Sequence, residues 1–483
     1  MSFRHLIFTI SVVLVVFSAA LLASTIVAWG YGGPDLPAFL ISTVISATLG
    51  LVGMSTTKLK GSLTIREGYA VVSLTWIVVG IVGALPFLLS GVVESPVAAF
   101  FEAVSGLTTT GATVFPDVEA LPQGILFWRS LTQWLGGMGI ILLGVAILPF
   151  LGVGGMHLFR AEVPGPVSER LSPRITQTAK LLWVVYAGLT LILFLLLMAG
   201  GLSPFDALNH AFTAMPTGGF STRNASAAAY ESRFVQYVLI LFMYLAGVNF
   251  VLHFRALSGK FRGYWASLEW RFYTGAFLIA TLGIFPFLFL SDAGAGLGVE
   301  RVFRDTLFQV VSVGTTTGFV TSDYGGWPLA PQLVLVALML MGGMAGSTGG
   351  GIKSMRMFVL LKAGISQLRR NLHPRAVVVT PMGSKALQDS EVLNILGFVL
   401  LFLGIFFAGI LVLAGLGHDL ETAIGASVAT IANIGPGLGE VGAVENYGWM
   451  DPASQLVLIA LMLIGRLEIF TVLLLFYPDL WRR

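Results

Sequence analysis

Cysteine is absent from all 483 residues, which excludes disulfide staples, thiol nucleophiles and thiolate metal sites. Charge is scarce too: Asp, Glu, Lys and Arg make up 11% of the chain, against about 25% in soluble domains. The six histidines (His5, His157, His210, His253, His373 and His418) show no metal-ligand spacing. No hydrolytic triad or paired-carboxylate pattern stands out, so the chain is not expected to be an enzyme or to hold an organic cofactor. Gly346-Ser-Thr-Gly-Gly-Gly351-Ile-Lys353 imitates a phosphate-binding loop, but Ile352 separates the last glycine from the lysine. Gly152-Val-Gly-Gly155 lacks the strand–helix setting of a dinucleotide site. Apolar residues are abundant instead, at 56%, with a mean hydropathy of +0.88. That composition belongs to a polytopic membrane protein. The pI of 9.1 then reflects basic cytoplasmic loops, with membrane lipid rather than nucleic acid as the expected partner.

A span needs about 20 apolar residues. Ten candidates occur, at about 6–29, 36–56, 67–91, 125–150, 180–201, 234–255, 270–291, 331–361, 391–416 and 453–477. The first is too long for the apolar core of a signal peptide and reads as a retained span. Four shorter segments, about 96–109, 204–216, 302–316 and 420–433, fit re-entrant helices. Two begin with an N-cap and proline, Ser95-Pro96 and Ser203-Pro204. Of the 27 lysines and arginines, 21 fall on one side of this layout, which predicts cytoplasmic termini. Lys353 and Arg356 read as cytoplasmic anchors of their span. Arg129, Arg223, Arg233, Arg301 and Arg304 lie on the outer side. Acidic residues, among them Asp35, Asp117, Glu119 and Glu445, gather outside and suggest a negative vestibule.

Each short segment ends in a related loop. The four read Ser105-Gly-Leu-Thr-Thr-Thr-Gly111, Phe212-Thr-Ala-Met-Pro-Thr-Gly218, Ser312-Val-Gly-Thr-Thr-Thr-Gly318 and Ala429-Thr-Ile-Ala-Asn-Ile-Gly435. Their final glycines are 107, 100 and 117 residues apart. A single Thr-Thr-Thr-Gly could be a helix-packing patch, but four matched copies between apolar runs point to the lining of one pore. The loops contain no Asp or Glu, so their oxygens are neutral and suit a monovalent cation. The fold expected is an all-α integral membrane protein. It has an N-terminal two-helix hairpin (1–60) and four helix–pore loop–helix repeats with pseudo-fourfold symmetry around one pore. The repeats run 61–155, 156–257, 258–375 and 376–483, the third with an interrupted second helix.

That interruption is Gly342–Gly351, with six glycines. Each costs about 1 kcal/mol in a helix relative to alanine, so non-helical backbone is expected. Below the loops such a segment would be a gate. Arg466 lies within the last span, where an arginine should face a cavity or a partner. It is expected to form an electrostatic barrier beside the glycine segment. Glu468, two residues on, points elsewhere on a helix, so the two are not expected to pair.

Taken together, the four loops, the segment Gly342-Gly-Met-Ala-Gly-Ser-Thr-Gly-Gly-Gly-Ile-Lys353 and Gly465-Arg-Leu-Glu468 resemble the TrkH/KtrB potassium-transport family, over nearly the whole chain. The hairpin and length look more like its TrkH branch. The resemblance implies potassium as the transported ion, with filter glycines at Gly111, Gly218, Gly318 and Gly435. It implies coordinating carbonyls from Thr109, Thr110, Thr217, Thr316, Thr317, Asn433 and Ile434. Gly346, Gly349, Gly350, Gly351, Lys353 and Arg466 would form the gate. It further implies a multi-pass protein of the bacterial inner membrane, a homodimer, and a cytosolic nucleotide-binding regulator of the TrkA type. A sodium-selective or unselective transporter of the same architecture is the competing expectation.

Overall fold

The structure, a computed structural model, describes residues 3–57, 65–139, 175–375, 379–382 and 385–481. The part of the 125–150 span beyond residue 139, the Gly152–Gly155 glycines and most of the 151–180 connection lie outside the described residues.

Among the described residues, six helices are long and apolar enough to cross a membrane. Two more candidate spans are bent pairs: Arg233–Ala246 turns by 104° into Phe250–Leu257, and Pro452–Arg466 turns by 117° into Ile469–Phe476. Hydropathy alone predicts both as continuous spans, at 234–255 and 453–477. Their breaks follow from local chemistry. Asn249 caps the second helix of the first pair, accepting from the Val251 amide at 2.8 Å. Glu468, with φ +61°, interrupts the other. The 331–361 candidate is Leu329–Met341 and Ser354–Leu372 with non-helical backbone between. The small hairpin Thr380–Met382 with Lys385–Leu387 departs from the all-α expectation.

The N-terminal helices Phe3–Gly30 and Leu36–Thr56 approach closely through small residues, and the Ser46 hydroxyl donates to the Leu14 carbonyl at 2.9 Å. Asp35, in the turn between them, is fully buried. Its carboxylate accepts from the Ile125 amide at 3.0 Å and ties the hairpin to the helix Gln123–Gly137. It is a brace, which corrects its placement in an outer vestibule. Burial pushes its carboxyl above the usual carboxylate range.

The four short helices are Pro96–Leu107, Pro204–Ala214, Val299–Gly314 and Leu420–Ile431. Side chains of Ser95, Ser203 and Asp419 cap three of them. The helix after each loop packs on the next unit's short helix: Gln123–Gly137 on Pro204–Ala214, Arg233–Ala246 on Val299–Gly314, and Leu329–Met341 on Leu420–Ile431. Pro452–Arg466 then packs on Pro96–Leu107, so the cycle closes.

Candidate functional site

Each short helix runs into a strained residue followed two positions later by a glycine. Thr109, Thr217, Thr316 and Asn433 have φ of +55°, +58°, +64° and +56°. Such left-handed backbone costs about 1–3 kcal/mol for a non-glycine residue and persists only where its surroundings impose it. The glycines that follow are Gly111, Gly219, Gly318 and Gly435, with φ of +81°, +77°, +84° and +97°. The residue between them donates its amide five positions back, Thr110 to Ser105, Gly218 to Thr213, Thr317 to Ser312 and Ile434 to Ala429, at 2.8–2.9 Å.

This geometry moves the second loop by one residue. Gly218 occupies the place of Thr110, Thr317 and Ile434, and Gly219 takes the place sequence reading gave to Gly218. Two adjacent glycines make an alignment by glycine ambiguous. Aligning the strained Thr217 with Thr109 and Thr316 would have found the register.

The four loops touch in cyclic order. A Cβ on Gly111 would collide with the Gly218 carbonyl, one on Gly219 with that of Thr317, and one on Gly318 with that of Ile434. One on Gly435 would meet the Thr110 carbonyl at 2.6 Å. Every loop therefore needs its glycine because the next loop's carbonyl occupies the side-chain position. Several threonine hydroxyls are engaged within the protein. Thr110 pairs with Thr108 and Thr317 with Thr315, each at 2.7 Å, and the Thr316 hydroxyl accepts from the Gly350 amide at 2.7 Å.

Buried side chains hold the loops. Gln133 donates to the Gly218 carbonyl at 2.7 Å and accepts from the Phe220 amide at 3.1 Å. Asn433 donates to the Thr110 hydroxyl at 3.0 Å, and Tyr447 to the Gly435 carbonyl at 2.7 Å. Glu102 and Arg129 form a fully buried ion pair at 2.7 Å. Glu102 also accepts from the Val114 amide at 2.9 Å, while Arg129 donates to the Ser221 carbonyl at 3.2 Å and lies 4.1 Å over the Phe220 ring. Arg129 is therefore a link between the first two loops rather than an outer-loop charge. His210 makes packing hydrogen bonds, to the Asp206 carbonyl at 2.8 Å and the Ser221 hydroxyl at 3.0 Å.

On one side of the loops lies a concavity reached by all four glycines, Gly111, Gly219, Gly318 and Gly435. Among the acidic residues expected there, Glu445 lines it. Asp117 and Glu119 instead hold Asn224 on its rim, at 2.8 and 3.0 Å. The Asn224 amide beside Asp117 holds that carboxyl below the usual carboxylate range.

On the other side of the loops lies the glycine-rich segment. The Thr348 hydroxyl bonds the carbonyls of Met215 and Ala246 at 3.0 and 3.1 Å. Gly350 fits against the Ala432 carbonyl, and Gly346 and Gly351 have φ of +75° and +73°. A Cβ on Gly349 would stand 2.9 Å from the Thr315 carbonyl. Lys353 bonds the Gly349 carbonyl through Nζ. Arg466 joins this segment to the end of the helix Gln123–Gly137, donating to the Thr348 carbonyl at 2.8 Å and to those of Gly136 and Gly137 at 2.6 and 3.3 Å.

Lys353 and Arg356 are both buried, which corrects their reading as cytoplasmic anchors. Arg356 pairs with Glu468 at 2.9 Å and lies 3.7 Å over the Phe398 ring. Glu102, Glu269 and this Arg356–Glu468 pair were missed by sequence reading. Their one sequence signal is a charge inside an otherwise apolar stretch.

A family model described as TrkH, cation transport protein, matches residues 36–482. The chain is 40% identical to "Trk system potassium uptake protein TrkH" of Escherichia coli (strain K12), over 100% of both chains. It is 33% identical to "Trk system potassium uptake protein TrkG" of the same organism, over 96% of each. The crystal structure of the potassium transporter TrkH from Vibrio parahaemolyticus matches with a TM-score of 0.90 at 37% identity, covering 100% of both chains.

Proposed function

The chain belongs to the TrkH family of cation transport proteins, and on that premise we propose that it carries potassium inward across the bacterial inner membrane. The observation that carries this reading is the closed cycle of glycine-to-carbonyl contacts. Four loops meeting in that order form a pseudo-fourfold filter in which carbonyls replace the ion's hydration shell. Each short helix points its C-terminal end, a partial negative charge, toward the loop that follows it. Neutral oxygens without carboxylates suit potassium rather than a divalent ion. Ions would enter at the outer concavity, pass the loops and reach the Gly342–Gly351 gate. With both termini cytoplasmic, an inside-negative potential favours uptake by about 2.3 kcal/mol per charge per 100 mV.

Purified protein in liposomes tests this directly. Potassium uptake that excess sodium does not inhibit is expected. Equal carriage of sodium would favour the sodium-selective or unselective reading. The family resemblance and the basic connections support two partners, a second copy of the chain and a TrkA-type nucleotide-binding subunit.

Arg466 is the barrier of the gate in this reading, because its guanidinium bridges Thr348 to Gly136 across elements of two units. Arg466→Ala should raise potassium flux about tenfold or more, since it removes charge-assisted hydrogen bonds that hold the segment. Unchanged or lower flux from a well-folded variant would remove Arg466 from this role.

A further inference from the structure

We propose that Glu269 is a positioning residue of the gate, a clasp that joins the glycine-rich segment to the start of the helix that follows it. This rests on the reading of that segment as a gate. Glu269 is the second residue of the helix Leu268–Phe289, in a different element from the segment it touches. It is only 4% exposed. A carboxylate in such a place is costly unless donors surround it. One donor comes from the segment and the other from the first residue of the helix Ser354–Leu372 that follows it. One oxygen, Oε1, accepts from the Ala345 amide at 2.7 Å and from the Ser354 hydroxyl at 3.0 Å.

Ala345 and Ser354 bracket the stretch that contains Thr348, Gly349, Gly350 and Lys353. The middle of that stretch reaches the loops, through Thr348 to Met215 and through Gly350 to Thr316. A glycine-rich chain loses much entropy when ordered, so its closed shape depends on fixed ends. The Glu269 carboxylate supplies that fixation from outside the segment. The Ser354 amide adds a second closure within it, donating to the Gly343 carbonyl at 2.9 Å.

Glu269→Ala should raise potassium flux into liposomes about tenfold, the scale of losing a hydrogen bond to a charged group. It should also speed hydrogen exchange at the amides of 343–354, with Ala345 most affected. Glu269→Gln keeps an oxygen acceptor for both donors and should restore flux and protection to near the original values. If Glu269→Ala does not fold, Ser354→Ala removes one of the two bonds and should raise flux in the same direction. A rise with Arg466→Ala but none with Glu269→Ala or Ser354→Ala overturns the clasp and leaves the gate intact. No rise in any of the three overturns both. Loss of protection spread over the whole helix Leu268–Phe289 in Glu269→Ala, with no rescue by glutamine, would reduce Glu269 to a packing role and also overturn the clasp.

Discussion

Gly318→Ser should lower the potassium-over-sodium flux ratio at least about tenfold, the equivalent of 1.4 kcal/mol between the two ions. Two effects act together at this position. The backbone is left-handed, with φ +84°. A side chain there costs about 1–2 kcal/mol before any contact is considered. The larger effect is spatial. The Cβ position is occupied by the carbonyl of Ile434, so serine must push the fourth loop away from the third. If the loops are the proposed filter, their carbonyls discriminate by how they surround the ion, so a displaced carbonyl alters the preference before it blocks flow. Gly296 provides the control. It has φ +75° but nothing within 4 Å of its Cβ position. Gly296→Ser therefore carries similar backbone strain without the collision and should leave the ratio unchanged. The register of the second loop yields a sharper form. Gly219→Ser should behave like Gly318→Ser, because its Cβ would strike the Thr317 carbonyl. Competitive flux of the two ions in liposomes reads all three variants. Wild-type discrimination in Gly318→Ser would count against a filter role for the contact between the third and fourth loops.

Arg129→Met should destabilise the protein by about 3–5 kcal/mol, because it leaves Glu102 charged, buried and without its cation. Both side chains of the pair are almost wholly removed from solvent. The companion change Glu102→Leu removes the stranded charge. The double variant should regain most of the thermal stability, since an apolar pair of similar volume is often neutral relative to a buried ion pair. Its transport should remain impaired. Arg129 holds the Ser221 carbonyl, and Glu102 holds the Val114 amide, so the double variant loses the tie between the first two loops. Thermal unfolding in detergent, measured beside potassium flux, separates the two consequences. Equal melting temperatures for the single variant and the original protein would refute this role for the pair.

Much of the architecture is readable in the chain because the bilayer imposes a length scale on apolar runs. The candidates at 6–29, 36–56, 67–91, 180–201, 270–291 and 391–416 correspond to continuous helices of the structure. The loops were legible because four related stretches recur at similar intervals, and the broken helix because glycine is so unfavourable there. The bends near Asn249 and Glu468 were not legible, since one capping residue or one left-handed residue leaves little mark on hydropathy. Nor was the register of Gly218 and Gly219, where either glycine satisfies the pattern.

The chain by itself determined that this is a membrane protein with neutral, oxygen-rich loops between its spans, because composition and local periodicity act over a few residues at a time. Only the tertiary structure decided which carbonyl abuts which glycine, and which acid meets which donor. Glu102 finds Arg129 across 27 residues, Glu269 finds Ala345 across 76, and Arg356 finds Glu468 across 112. Such partners are chosen by the packing of helices around a common centre, where a buried polar group must be satisfied by whatever the fold brings within reach.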